Sequence, residues 1–362
     1  DGTGAPGYQA DVGITGEKVD AIGDLSQAGA RRVINAGGLA VSPGFIDAHV
    51  HSDSALLVDP QHASGLRQGI TTEILGQDGL SYSPLSADNY RAYSRYLSGI
   101  LGKPPEDLDM SSVESFRSHY HRKAAVNTAY LVPHGAVRLE TAGFRDVPLV
   151  GDTLERARRL VTEGIEQGAV GFSTGLSYHP NAWADTNELV SLCEAAHDAG
   201  GVYVTHTRDV NTDRAFGGGG VAEALEIGRR SGARVHFSHY RTEAHDAGRV
   251  AERLELIDKA KGQGVDCTAD IYPYPTGSTL AAAMLPSYVH DGGPEAMVRR
   301  LEDPDERRAM IAEIDAQPIR SLRESVLSYL QKNGHLEGIS LPEVAHERGV
   351  SMGEAICDLL LE

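Results

Sequence analysis

Cysteine is scarce in this sequence: Cys193, Cys267 and Cys357 are the only three, and no two of them have C-x-x-C spacing. An odd number of widely separated cysteines argues against both a disulfide framework and a thiolate zinc site. We therefore expect three buried free thiols.

Long apolar runs and excess positive charge are also absent. No stretch approaches the roughly 18 consecutive apolar residues that a bilayer span needs, and residues 1–7 lack the basic and apolar segments of a secretion signal. The 33 Lys and Arg residues are outnumbered by 51 Asp and Glu residues, which gives a net charge of −18. Such a surface repels phosphate backbones and anionic lipids. The composition thus predicts a soluble, cytoplasmic protein without nucleic-acid or membrane partners, and it leaves the oligomeric state open.

The first 42 residues differ in texture from the rest of the chain. Short strand patterns at residues 10–14, 18–22 and 32–34 are separated by glycine-containing turns. We predict that residues 1–42 form part of a small β-domain. The remaining residues, 43–362, are long enough for one large domain with a buried core.

In residues 43–362, short apolar runs alternate with helical patterns. The seven candidate strands are residues 44–51, 72–78, 128–134, 170–174, 202–206, 234–239 and 265–272, and helical patterns include 152–167, 185–199, 221–230 and 249–261. The last three intervals between strand ends are 32, 33 and 33 residues. These intervals match the roughly 30-residue βα unit of a closed barrel. A longer interval after the second strand predicts an insertion around residues 87–121.

We predict an α/β fold: a (β/α)8 TIM-type barrel accompanied by a small β-sandwich domain. An open doubly wound sheet would show the same alternation, but it would not explain why metal-ligand residue types recur at the carboxyl ends of successive strands. Beyond residue 272 the patterns at 296–301, 305–314, 322–330, 341–348 and 351–361 are all helical. We therefore expect the eighth strand to be missing, and the chain to be incomplete at both ends.

Four histidines lie at ends of candidate strands. His49 and His51 are two residues apart, a spacing that places both imidazoles on one face of a strand. His206 and His239 each end an apolar strand and lie one βα repeat apart, so neighbouring strands should present them side by side. Imidazole and carboxylate ligands suit zinc and related divalent ions. We predict one or two Zn²⁺-type ions here.

Two further residues near these histidines are ambiguous by pattern. Asp78, at the end of the second strand, can bridge two metals, but an aspartate in a glycine-flanked turn equally serves as a backbone hydrogen-bond acceptor. His236 has odd spacing from His239, which predicts that it points to the opposite face of its strand and has a structural role.

The combined motifs are similar to those of the amidohydrolase superfamily, and specifically resemble the D-aminoacylase or N-acyl-D-amino-acid deacylase family. The shared stretches are residues 1–6, 42–53, 171–178, 205–206, 238–239 and 270–274. The resemblance implies that His49 and His51 hold one metal position, that His206 and His239 hold the other, and that Asp78 bridges them. Many relatives carry Cys at the position of Asp78, so metal preference and occupancy can differ here.

The resemblance also implies a substrate site. Arg241, Tyr272 and Ser278 would bind an α-carboxylate, and Tyr178 would donate a hydrogen bond to the scissile carbonyl. From the residues alone, Arg241 could instead form a surface salt bridge, Tyr272 could be a packed strand-end aromatic, and Tyr178 a plain loop residue. The family's catalytic aspartate follows the eighth strand, so the general acid/base is expected beyond Glu362 and is not assigned.

These expectations combine into a functional hypothesis: metal-dependent hydrolysis of small-molecule N-acyl-D-amino acids to a D-amino acid and a carboxylate. Hydrolysis of a cyclic amide or a dipeptide is an alternative, although the fourth strand lacks the lysine that often bridges metals in such relatives. A non-catalytic metal-binding barrel is the second alternative, should the catalytic Asp be truly absent.

Overall fold

The structure is a computed structural model that describes residues 4–242, 247–316 and 324–362. Part of the motif at residues 1–6 and part of the predicted helix 322–330 lie outside these ranges. The chain divides into two compact units, residues 1–45 and 46–362.

The first unit contains one β-hairpin. Strand β1 (Asp11–Thr15) pairs antiparallel with β2 (Lys18–Gly23), and a bulge interrupts the register between Gly13 and Ile14. The strand predicted at residues 32–34 is wrong, because this segment forms no regular element. Its β-branched residues match a strand in local propensity only, and propensity without a pairing partner does not make a strand.

Seven strands form the main sheet, and all seven correspond to candidates from the sequence. They are β3 (Phe45–Asp47), β4 (Ile70–Leu75), β5 (Asn127–Pro133), β6 (Gly171–Gly175), β7 (Val202–His206), β8 (Val235–Phe237) and β9 (Cys267–Ala269).

Their spatial order follows the sequence, β3-β4-β5-β6-β7-β8-β9, and each strand from β4 to β9 is parallel to the next. A doubly wound sheet would reverse its order at a switch point. The sequential order is that of a (β/α) barrel and confirms the predicted fold class.

Helices connect the parallel strands and cover the sheet. They are α1 (Asp53–Val58), α2 (Ala63–Arg67), α3 (Ala87–Leu101), α4 (Val113–Tyr120), α5 (His134–Ala142), α6 (Asp152–Glu166), α7 (Thr186–Asp198), α8 (Gly220–Ser231) and α9 (Val250–Gly262). Helices α3 and α4 occupy the predicted insertion. Their tyrosines and phenylalanine, including Tyr90, Tyr93 and Phe116, are buried, so the insertion extends the hydrophobic core.

Among the described residues after β9, the α-helices with defined bounds are α10 (Gly293–Glu302), α11 (Pro304–Ala316), α12 (Leu341–Arg348) and α13 (Met352–Leu361). They pack around a second apolar cluster that includes Met310, Ile314 and Ile356. The helix predicted at 322–330 is wrong from residue 325 onward, because residues 325–330 are not helical and Val326 forms a β-bridge with Ser340.

The three cysteines, Cys193, Cys267 and Cys357, are buried and free, as predicted. Within the described ranges, no helix combines the length and the apolar character needed to cross a bilayer.

Candidate metal centre and substrate site

His49 and His51 lie just beyond the carboxyl end of β3, which ends at Asp47. Their Nε2 atoms are 3.5 and 3.3 Å from the same oxygen, Oδ2 of Asp78. The two rings are 5.3 Å apart between centroids and nearly perpendicular. The period-two argument for one strand face does not apply to residues outside the strand, yet the turn after β3 aims both imidazoles at one carboxylate.

Asp78 is almost fully buried and sits in a one-turn 3₁₀ segment, Gln77–Gly79, with left-handed backbone angles (φ 55°, ψ 27°). The carboxyl end of β6 supports this turn. Ser173 Oγ accepts from the Gly79 amide at 3.1 Å, and a Cβ on Gly175 would lie only 2.0 Å from the Asp78 carbonyl oxygen. The absence of a side chain at Gly175 therefore lets the turn that carries Asp78 rest directly on β6.

The carboxylate of Asp78 is in its ionised form. Burial opposes ionisation, but the nearby His49 charge and hydrogen bonds from His239, His49 and His51 hold the pKa of this carboxyl well below its usual range. Within the described part of the chain, the contacts with the four imidazoles are made by Oδ2, whereas Oδ1 is buried without a hydrogen-bond partner. A buried acceptor without a partner is costly, and a cation is one way to satisfy it.

His206 is the last residue of β7, and His239 follows β8 in a left-handed turn (φ 36°). The Nδ1 atom of His206 is 2.9 Å from the Nε2 atom of His239, and each is 3.8 Å from Asp78 Oδ2. Burial, opposed in part by Asp78, lowers the pKa of His206, so the neutral ring offers a lone pair. Neighbouring strands thus present these two imidazoles side by side.

The described residues therefore contain two groups of metal-ligand type that share one member. His49, His51 and Asp78 form the first, Asp78, His206 and His239 form the second, and the ligand atoms within each lie within 4.8 Å of one another. We call these five residues the His–Asp cluster. Tetrahedral zinc with bonds of about 2.1 Å would separate its ligand atoms by about 3.4 Å. The measured separations of 2.9–3.8 Å bracket that value.

Two carboxylates outside the His–Asp cluster are linked to its histidines, one directly and one through a serine. Asp270, just after β9, places Oδ2 3.3 Å from His49 Nδ1. Ser177 Oγ is 2.9 Å from His206 Nε2 and donates in turn to Asp209. The sequence reasoning missed these contacts, although the position of Asp270 at a strand end was an available signal.

His236 does not point away from this region, contrary to the expectation. Its Nε2 lies 3.0 Å from Asp270 Oδ2, the oxygen that also contacts His49. The parity argument fails because β8 ends at Phe237, so His239 lies beyond the regular strand. His236 remains outside the two metal-ligand groups.

The predicted substrate residues lie in the segments after β8 and β9. The guanidinium carbon of Arg241 is 5.1 Å from the centroid of the Tyr272 ring. A Cβ on Gly277 would lie 3.0 Å from Arg241 Nη2 and 3.1 Å from Tyr272 OH, so both polar groups border the space that Gly277 leaves open. Ser278 is exposed beside it. The structure thus brings Arg241 and Tyr272 together beside Gly277.

Tyr178 is buried beside the His–Asp cluster. Its ring lies 5.2 Å from that of His206, and its hydroxyl is 3.2 Å from Thr279 Oγ1. Burial and the nearby Asp78 charge raise the pKa of Tyr178 well above its usual value, which keeps the hydroxyl protonated and able to donate. Thr279, which the sequence reasoning did not select, connects Tyr178 to the loop that carries Ser278.

The sequence is similar to those of known proteins. Residues 32–264 match the amidohydrolase family. An N-acyl-D-glutamate deacylase of Alcaligenes xylosoxydans xylosoxydans is 39% identical over 284 residues, which are 77% of this chain and 56% of that protein. The chain thus spans little more than half the length of this curated relative.

Solved structures match nearly the whole chain. A D-aminoacylase structure concerned with the functional role of its binuclear metal centre is 29% identical, with a TM-score of 0.78. An N-acyl-D-glutamate deacylase from Bordetella bronchiseptica, complexed with zinc and a phosphonate inhibitor, is 29% identical with a TM-score of 0.79. Each comparison covers 99% of this chain and 67% of the other.

Proposed function

Since the chain belongs to the amidohydrolase family, we propose that it catalyses metal-dependent hydrolysis of the amide bond of N-acyl-D-amino acids. The products are a D-amino acid and a carboxylate. One observation carries this proposal: a single buried carboxylate oxygen, Asp78 Oδ2, lies within 3.8 Å of a nitrogen of each of four histidines. The deacylase relatives support the same reaction class.

The donor set fits zinc. Imidazole nitrogens and one carboxylate are ligands that zinc accepts, and the separations of these atoms suit bonds from a common ion. His49 and His51 with Asp78 would hold one ion; His206 and His239 with Asp78 would hold a second. Two observations support a bridging role for Asp78: it belongs to both groups, and no described residue forms a hydrogen bond with its Oδ1 atom. We propose Zn²⁺ as the ion, as in the inhibitor complex of the Bordetella bronchiseptica protein.

A bound divalent ion supplies two things: a coordinated water whose pKa falls toward about 7, and a Lewis acid for the amide carbonyl. The protein side chains provide orientation. The Tyr178 hydroxyl, held protonated by burial, donates to the carbonyl oxygen as negative charge develops on it. Its contact with Thr279 directs the hydroxyl and leaves its position fixed before substrate arrives.

The substrate α-carboxylate binds between Arg241 and Tyr272. A guanidinium gives charge-assisted hydrogen bonds to a carboxylate, and a phenolic hydroxyl adds a third donor. Gly277 keeps the space between them open, since a Cβ there would be 3.0 Å from Arg241 Nη2 and 3.1 Å from Tyr272 OH. The exposed Ser278, next to Gly277 in the chain, adds a hydroxyl group to this site. With the substrate carboxylate fixed here and its amide carbonyl fixed at the His–Asp cluster, the side chain of the substrate can point in one direction only. We propose this restriction as the basis of selectivity for the D-isomer.

The test is an assay of the purified protein on N-acetyl-D- and N-acetyl-L-amino acids, with and without chelator. We expect turnover of D-substrates only, loss with chelator, and recovery on addition of Zn²⁺. Turnover that survives complete removal of metal would contradict the proposal. Zinc-bound protein that hydrolyses cyclic amides or dipeptides, but not N-acyl-D-amino acids, would favour the alternative amidohydrolase reaction. Zinc-bound protein without any turnover would favour a non-catalytic barrel.

A further inference from the structure

Asp270 contacts residues from both halves of the His–Asp cluster. Its Oδ2 lies 3.3 Å from His49 Nδ1, and its Oδ1 accepts from the backbone amide of His239 at 2.6 Å. We propose that Asp270 is a positioning residue: it fixes which nitrogen His49 presents to the metal and holds the turn that carries His239. This inference rests on the metal site of the proposed function.

The first contact determines the tautomer of His49. The Nε2 atom of this ring faces Asp78 Oδ2, so Nε2 is the atom that would coordinate an ion shared with Asp78, and coordination requires a lone pair there. A neutral imidazole has one protonated nitrogen, and Nε2 is free only when the proton is on Nδ1. Asp270 Oδ2 lies where it accepts that Nδ1 proton. A carboxylate behind a ligating histidine both fixes the ring orientation and makes the imidazole a stronger donor to metal.

The second contact determines the position of His239. This residue has a left-handed backbone (φ 36°), a conformation that is unfavourable for a residue with a side chain. A short hydrogen bond from its amide to an ionised carboxylate offsets that cost. The turn in turn places His239 Nε2 2.9 Å from His206 Nδ1. One carboxylate therefore connects the ligand from β3 with the ligand from β8.

Asp270 is itself fixed from several directions. His236 Nε2 lies 3.0 Å from Asp270 Oδ2, and His236 Nδ1 lies 2.7 Å from Thr268 Oγ1. On the backbone, the Asp270 amide donates to the Phe237 carbonyl at 3.0 Å, and the Tyr240 amide donates to the Asp270 carbonyl at 2.9 Å. These bonds give His236 a role: it donates to the carboxylate that orients His49.

The arrangement predicts why an amide cannot replace this carboxylate. Three N–H groups, from His49, His236 and His239, converge on two oxygens of Asp270. In Asp270→Asn one oxygen becomes an NH₂ donor, so a donor faces either the His239 amide or the two imidazoles. Either His49 is free to adopt the other tautomer, or the His239 turn loses its acceptor.

The test compares Zn²⁺ affinity of the wild type, Asp270→Asn and a matched control, by competition with a chromophoric chelator. The control is Asp266→Asn, because Asp266 lies just before β9 and forms an exposed ion pair with Arg234 at 2.6 Å. We expect Zn²⁺ binding about 10–100-fold weaker in Asp270→Asn and unchanged in the control. Thermal unfolding of the metal-free proteins separates loss of affinity from loss of folding. Unchanged Zn²⁺ affinity in folded Asp270→Asn would overturn the inference.

A second measurement uses the unmodified protein. In the zinc-loaded wild type, the Nδ1–H of His49 should give a downfield proton resonance that exchanges slowly with water, assigned by its loss in His49→Gln. A His49 Nδ1–H that exchanges as fast as an exposed imidazole would overturn the role of Asp270 while leaving the metal site intact. A wild type that binds no Zn²⁺ would instead overturn the proposed metal site, and the inference with it.

Discussion

The Nδ1 atom of His206 lies 2.9 Å from the Nε2 atom of His239, although the two residues are 33 positions apart in the chain. The two strands that carry them, β7 and β8, are parallel neighbours, so their carboxyl ends meet at one edge of the sheet. Ser177 takes Nε2 of His206, which leaves Nδ1 directed at Asp78.

This pair gives the first prediction. His206→Ala and His239→Ala should each remove tightly bound metal and activity together, because the remaining ligands of that half are one imidazole and one shared carboxylate. Metal content after gel filtration and turnover of an N-acetyl-D-amino acid are the measurements. His346→Ala, which alters an exposed histidine on α12, should change neither. Full metal occupancy in both site variants would contradict the ligand assignment.

Asp78 gives the second prediction. Asp78→Ala should abolish tight Zn²⁺ binding, since it removes the one negative charge among four imidazoles, whereas Asp78→Cys should restore binding and shift preference toward Cd²⁺, because thiolates favour softer ions. The left-handed backbone (φ 55°) tolerates aspartate better than cysteine, so we expect Asp78→Cys to lose about 1 kcal/mol of stability. Competitive titration with Zn²⁺ and Cd²⁺ measures the preference. Equal ion preference in wild type and Asp78→Cys would contradict a ligand role for this position.

The repeat of strand and helix was readable from the sequence because each strand is a short apolar run that ends in a polar residue. All seven strands of the sheet were found in this way, and the 33-residue interval between His206 and His239 placed them on adjacent strands. Two elements predicted from local residue patterns alone are wrong: residues 32–34 lack a pairing partner and form no strand, and residues 325–330 form no helix.

The contacts around the His–Asp cluster were not readable, for a different reason. They depend on where each strand ends, and a one-residue shift reverses the face of every side chain. The spacing argument that turns His236 away requires β8 to reach His239, whereas the strand ends at Phe237. The contacts of Asp270 follow from the turn after β8 and from the end of β9, and neither is encoded by residue spacing.

The third prediction concerns pH and a buried histidine outside the site. Burial lowers the pKa of His290 to about 4 from an ordinary 6.5. Between pH 6.5 and pH 4, His290 is therefore protonated in the unfolded chain but stays neutral in the folded protein. The free energy of unfolding should accordingly fall as pH decreases from 6.5 to 4. The contribution is up to about 3 kcal/mol. Denaturant unfolding across this range should show a smaller slope in His290→Asn than in wild type or His346→Asn, and equal slopes would contradict the assignment.

Arg241 gives the fourth prediction. Arg241→Met should weaken kcat/KM for an N-acyl-D-amino acid about 10–100-fold, since charge-assisted hydrogen bonds are worth about 1.5–3 kcal/mol. Arg241→Lys keeps a positive charge but lacks the planar guanidinium group, so its kcat/KM should fall less than that of Arg241→Met. Steady-state kinetics on the acid and on its methyl ester isolate the contribution of the substrate carboxylate, because the ester lacks the charge that Arg241 binds. Wild type and Arg241→Met should therefore differ less on the ester. An identical loss on both substrates would remove Arg241 from the carboxylate site.

Gly277 gives the fifth prediction, which tests the shape of the same site without changing any charge. The backbone of Gly277 is not in the left-handed region, so alanine can replace it without backbone strain. The added methyl would lie 3.0 Å from Arg241 Nη2 and 3.1 Å from Tyr272 OH, where it competes with the substrate carboxylate for both donors. A loss of binding that affects the ground state and the transition state equally raises KM and leaves kcat unchanged.

For Gly277→Ala we expect a KM at least about tenfold higher, with Zn²⁺ affinity and thermal stability as in wild type. Gly262→Ala, at the end of α9 where a Cβ meets no atom within 4 Å, is the matched control and should leave KM unchanged. If KM in Gly277→Ala equals that of wild type, the substrate carboxylate does not bind between Arg241 and Tyr272.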